Sequence, residues 1–200
     1  MKHLPFTCLL FLALSAAARA YINAPVEKLT LPEMLKEFKS VQIIKAGSVD
    51  LDQGVVVWEF IEQLHGDKDP TRSRHIIHLR DGVPPSLKKL KPDQTAVFFS
   101  QDGWKRGIIL TEGCWYLAGY EEENKCWRIS FTDRWYDFNT CFSGSPDELV
   151  VAIRKLLKGE DAVVKCRVKP KEPELETVRY SMKQPHEKTV VTPTTKPAQN

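Results

Sequence analysis

The chain is poor in the residues that mark common catalytic and cofactor sites. Its 200 residues include 5 cysteines, 5 histidines, 3 methionines and 10 glycines. No two cysteines stand in a Cys-x-x-Cys pair, so the usual haem attachment is excluded and zinc has little support. No glycine-rich phosphate loop is present. Ser143-Gly-Ser145 lacks the Gly-x-Ser-x-Gly frame of a nucleophile elbow and reads as a turn running into a helix cap. Asp50, Asp52, Asp67 and Asp69 fall in turn-like stretches, where carboxylates are expected without catalysis. His75 and His78 are three apart in a strand-like run, which puts them on opposite faces rather than on one metal. The chain is therefore expected to be neither an enzyme nor a holder of a cofactor or metal.

Charge of one sign is lacking too. The formal net charge is +3, but Lys2 and Arg19 lie in an N-terminal apolar segment and residues 169–200 carry +2, which leaves −1 for residues 21–168. A core without a basic footprint excludes nucleic acid as an expected partner. Long apolar runs are absent apart from Leu9–Leu14, too short to span a bilayer. With Lys2 before it and Ala18-Arg-Ala20 after it, that run reads as a secretory signal over residues 1–20. The expected location is secreted or periplasmic, with no transmembrane segment after cleavage.

What the chain does have is concentrated between Thr95 and Phe142, which holds four of the five tryptophans. Short apolar runs at 95–100, 107–111, 114–119 and 126–131 alternate with Gly- and Asp-containing breaks, a hairpin pattern. Further strands are expected at 41–46, 54–61, 75–79, 138–142 and 162–166. Thr30-Leu-Pro-Glu33 and Ser145-Pro-Asp-Glu148 are capping boxes. The second opens a helix over 145–158 with an apolar stripe of Leu149, Ala152, Ile153, Leu156 and Leu157. The fold class is α+β: a mostly antiparallel OB-like β-barrel or curved sheet, a short N-terminal helix and one C-terminal helix. A single β-rich domain is expected over 21–168. Residues 169–200, rich in Pro, Lys, Glu and Thr, read as a disordered tail.

Four cysteines remain after the signal: Cys114, Cys126, Cys141 and Cys166. In an exported protein an even number favours two disulfides. The preferred pairing is 114–126 with 141–166. A register placing Trp115 opposite Trp127 would separate the first pair, and buried free thiols are the other alternative.

The aromatic residues suggest recognition. Trp115 and Trp127 are expected in the core. Trp104, Trp135 and Tyr136 sit in turn-like stretches beside charged residues, and Tyr120 opens an acidic turn. These four are the candidate partner-binding surface.

The order of strands, with Glu62-Gln-Leu-His-Gly66, Ile76–Leu79 and Leu90-Lys-Pro-Asp-Gln-Thr-Ala-Val-Phe-Phe99, resembles the netrin-module and tissue-inhibitor-like group of OB-type domains over about Val41 to Ile129. That resemblance implies an OB-type barrel. Metalloprotease inhibition in that group depends on an N-terminal Cys-x-Cys, whereas the expected mature start here is Tyr21-Ile-Asn-Ala. The second half, with Cys114-Trp-Tyr, Phe142–Leu149 and Lys158–Cys166, resembles uncharacterised secreted bacterial proteins, which implies no activity. The expected function is a non-catalytic exported binding module for a protein or glycan. The competing class is a thiol-redox or metal protein using the four cysteines. A structural envelope component is the third.

Overall fold

The computed structural model describes residues 29–66, 74–79, 87–101, 106–121, 123, 126–130, 138–169 and 173–191; for 74–79, 87, 106 and 126–130 only the backbone is described. Residues 1–28, which include the expected signal, and residues 192–200 lie outside the described residues.

The chain is α+β, with two α-helices and mostly antiparallel sheet among the described residues. Helix α1 (Leu31–Glu37) starts at Thr30, whose hydroxyl accepts from the Glu33 N–H while the Glu33 carboxylate accepts from the Thr30 N–H. Both orphan donors are thereby satisfied. Seven strands follow in the first sheet: β1 (Ser40–Asp50), β2 (Val55–Gly66), β3 (Arg74–Leu79), β4 (Thr95–Gln101), β5 (Arg106–Thr111), β6 (Cys114–Glu121) and β7 (Cys126–Ser130). Their pairings run β1-β2-β3-β7-β6-β5-β4 and return from β4 to β1. Seven strands in a ring of pairings cannot alternate direction all the way round, and among the described residues the parallel pair is β3–β7. Three register shifts between β1 and β2 bend these long strands.

Strand alternation splits the apolar side chains into two clusters. Ile44, Ala46, Val56, Trp58, Ala96, Phe98, Ile109, Tyr116 and Ala118 pack together inside the ring, with Leu90 beside them. Val41, Ile43, Val97, Phe99, Ile108, Leu110 and Trp115 point the other way, against α1 and the C-terminal elements. Strands buried on both faces explain the unbroken apolar runs at 96–99 and 108–110. Gly107 is needed where the Phe98 ring crosses β5: a Cβ there would lie 2.6 Å from that ring and 2.7 Å from the Phe99 carbonyl oxygen.

Residues 138–142, expected as a strand, instead form a tight turn. The Phe138 carbonyl accepts from the N–H groups of Cys141 and Phe142, at 3.0 and 2.9 Å. All five residues are buried, so the two-residue alternation in the sequence does not separate a wet face from a dry one. Trp115 locks this turn to the sheet. Its indole N–H donates to the Phe142 carbonyl at 3.0 Å, and its ring lies 5.5 Å from Phe138 and 5.9 Å from Phe99.

Helix α2 (Pro146–Leu157) has the second capping box at Ser145. It buries Leu149, Val150, Ala152, Ile153 and Leu156, whereas Leu157, expected in the stripe, is exposed. Strand β8 (Ala162–Arg167) then opens a second sheet with β9 (Leu175–Tyr180) and β10 (Thr189–Val190). The domain therefore continues past Val168, and residues 175–191 do not belong to a disordered tail. The charged and Pro-rich composition hid a short alternation in Thr177-Val-Arg-Tyr180, whose Val178 and Tyr180 are buried in the main core. Among the described residues no helix is long and apolar enough to cross a membrane.

Candidate functional site

A groove lies where α2 leaves the edge of β8. Local rules build both walls. The capping box fixes the start of α2, and its apolar stripe turns Leu149 and Ile153 to the core. That rotation leaves Val151 outward at 55% exposure. Along β8, Ala162, Val164 and Cys166 point inward and Val163 and Lys165 outward, with Val163 53% exposed. Between the walls is a groove of about 470 Å³ lined by Phe142, Ser143, Asp147, Glu148, Val151, Val163, Val164, Lys165 and Thr177.

Among the described residues strand β8 has a strand partner, β9, on one side only. At its other edge the Lys165 carbonyl accepts from the Ser143 N–H at 2.7 Å. In an antiparallel strand alternate residues present both backbone groups to the same side. The N–H groups of Val163 and Lys165 and the carbonyl of Val163 therefore face the same edge, along the groove. The N–H and hydroxyl of Ser145 hold the Glu148 carboxyl below the usual carboxylate range, against the opposing effect of burial. Asp147, in the same first turn, is exposed at the groove margin.

Behind the groove lie buried sulfur atoms. The Cys166 thiol donates to the Cys141 carbonyl at 3.0 Å, and the Tyr180 hydroxyl donates to the same oxygen at 2.9 Å. The Cys141 Sγ lies 3.3 Å from the Met34 Sδ. Burial pushes the Cys166 thiol up to about 11, against the partial opposition of the Tyr180 hydrogen bond and the Lys188 ammonium. Burial also raises Cys141, and the neighbouring Cys166 adds to that. The segment after β9 covers this region: the Thr30 hydroxyl donates to the Pro185 carbonyl, His186 pairs with Glu33, and Lys188 pairs with Glu176.

The preferred disulfide 114–126 does not fit the register. Cys126 stands opposite Glu121 on β6, seven residues from Cys114, or about 23 Å along the strand. A disulfide spans Cα atoms about 4.4–6.8 Å apart. The alternative register also fails, because Trp127 pairs with Tyr120 and Trp115 with Leu110. Cys114, Cys141 and Cys166 are free thiols, the last two close together and buried, the first half-buried.

Of the aromatic surface residues, Tyr120 is half-buried and packs against the cluster inside the ring. Trp104, Trp135 and Tyr136 lie outside the described residues. Trp115 is in the core as expected, and the side chain of Trp127 is not described. The sequence reading missed Val151 and Val163. Their signal was an apolar residue on the polar side of each pattern: Val151 opposite the α2 stripe, and Val163 between inward Ala162 and Val164. Among the described residues no three His, Cys, Asp or Glu side chains converge as a metal site. No protein family, curated protein or solved structure matches the chain.

Proposed function

We propose that this chain is an exported, non-catalytic module that binds an extended protein segment as an added strand along the free edge of β8, beneath α2. The observation that carries the proposal is the coincidence of a groove whose exposed walls are Val151 and Val163 with a strand edge that, among the described residues, has no strand partner and one backbone bond, from Ser143 to Lys165. Strand addition takes affinity from main-chain hydrogen bonds and specificity from pockets for alternate side chains. The fitting segment alternates apolar and polar residues and carries a basic residue toward Asp147.

A protein partner is favoured over a glycan. Sugar recognition by stacking needs an exposed ring, and among the described side chains every aromatic is buried or half-buried. The groove is likewise favoured over a surface of Trp104, Tyr120, Trp135 and Tyr136, because Tyr120 turns its ring toward the inside cluster. Export rests on the signal-like Met1–Ala20. An OB-type barrel for the first sheet is supported by the return pairing of β4 to β1 and by the parallel β3–β7 pair.

The test uses extended decapeptides selected from a displayed library on the full mature chain. Val163→Pro removes an N–H that faces the groove and leaves the β8–β9 ladder its own donors, as proline on an edge strand does. Selected peptides should bind the wild-type chain and lose at least about tenfold in affinity on Val163→Pro, with an unchanged melting temperature. Equal binding to both would refute strand addition.

A further inference from the structure

Two thiols bracket the backbone contact that fixes the rear of the groove. Cys141 precedes the groove residues Phe142 and Ser143, and Cys166 follows Lys165. Between them the Ser143 N–H donates to the Lys165 carbonyl at 2.7 Å. Both thiols are fully buried, and the Cys166 sulfur lies 3.0 Å from the carbonyl oxygen of Cys141 itself. Two sulfurs so placed are within reach of each other once Cys141 turns away from Met34, which it now touches at 3.3 Å.

We propose that Cys141 and Cys166 are an oxidisable pair, and that closing them into a disulfide ties the 138–142 turn to β8 and stiffens the edge on which the partner strand docks. The effect on docking rests on the groove reading above; the chemistry of the pair does not. The oxidant is a small-molecule disulfide. One cysteine thiolate attacks it and releases one thiol, and the second thiolate then attacks the mixed disulfide and releases the other. Two thiols give up two protons and two electrons, one S–S bond forms, and the oxidant's S–S bond is reduced. Burial of both sulfurs makes the exchange slow in the closed fold, so the bond forms during folding or when the 181–191 segment lifts. Cys114 takes no part, because neither the β6–β7 register nor its half-buried position inside the ring brings it to this pair.

The experiment refolds the full mature chain with and without oxidised glutathione, alkylates the remaining thiols, and reads intact mass and a peptide map. The expected product is a 141–166 linkage that forms in Cys114→Ser and is absent in Cys166→Ser. Amide exchange at Val163–Lys165 should be at least about tenfold slower in the oxidised chain. Alkylation of all four thiols, a linkage through Cys114 or Cys126, or equal exchange in the two forms would overturn the proposal. A 141–166 linkage with slowed exchange, in a chain that binds no selected peptide in either redox form, would sustain this proposal and overturn the groove reading alone.

Discussion

Trp115 is the side chain whose removal should be felt most widely, because it joins three parts of the fold. It stands on β6 opposite Leu110, stacks near Phe99 of β4, and meets Phe138 and Phe142 of the 138–142 turn. Its indole N–H satisfies the buried Phe142 carbonyl. Trp115→Phe keeps most ring contact but orphans that carbonyl, at a cost of about 1–3 kcal/mol. Trp115→Ala also removes the ring contacts and leaves a cavity, for about 3–5 kcal/mol in total. In a domain of this size 1 kcal/mol moves the melting temperature by roughly 2–4 °C. Phe should therefore lower it by about 2–12 °C and Ala by about 6–20 °C, read by far-ultraviolet circular dichroism. Because the 138–142 turn forms the rear of the groove, Trp115→Phe should also quicken amide exchange at Ser143. An Ala variant melting within 2 °C of wild type would show that Trp115 does not hold this junction.

Three further outcomes are expected. Trp58 is fully buried and its indole nitrogen has no hydrogen-bond partner among the described residues, so Trp58→Phe loses packing but no hydrogen bond. In urea titrations its cost should stay below that of truncation to alanine, about 3–5 kcal/mol. Ser145→Ala removes the cap of α2 and should cost about 1 kcal/mol, whereas Ser145→Asp should retain most of the stability. Burial opposes ionisation of Glu33, but the His186 contact and the Thr30 N–H outweigh it and hold the carboxyl below its ordinary value near 4.5. Its stabilisation is thus present above that ordinary value and lost as pH falls through the lower folded value. Between about pH 5 and pH 3 the wild-type chain should lose more stability than Glu33→Gln, and parallel melting curves would refute this.

Local chemistry was the most legible part of the sequence. Both helices begin at the capping boxes that Thr30–Glu33 and Ser145–Glu148 spell out. The hairpin runs from Thr95 to Ser130 became β4–β7, because β-branched and aromatic runs broken by turn residues leave few other solutions. Long-range pairing was not legible. The β6–β7 register turned on which residues face across the turn, and two plausible registers around Cys114, Cys126, Trp115 and Trp127 both differ from the one adopted. Composition misled at 175–191, where averaging over Lys, Glu and Pro masked the buried pair Val178 and Tyr180. The turn at 138–142 was misread because burial on all sides imitates an alternating strand. The groove could not be read in advance, since Val151 and Val163 come to line one groove only after α2 and β8 pack together. Their one trace in the sequence is an apolar residue on the wrong side of each pattern.

The central claim is that the working surface is the free edge of β8. It is tested most directly by amide NMR of the labelled chain without residues 1–20, titrated with a selected decapeptide. The account predicts cross-strand contacts from the peptide to Val163 and Lys165, with the Val163 N–H gaining protection from exchange. Perturbation confined to the Tyr120 end of β6, with Val163 unchanged, would contradict it and move recognition to the aromatic turns.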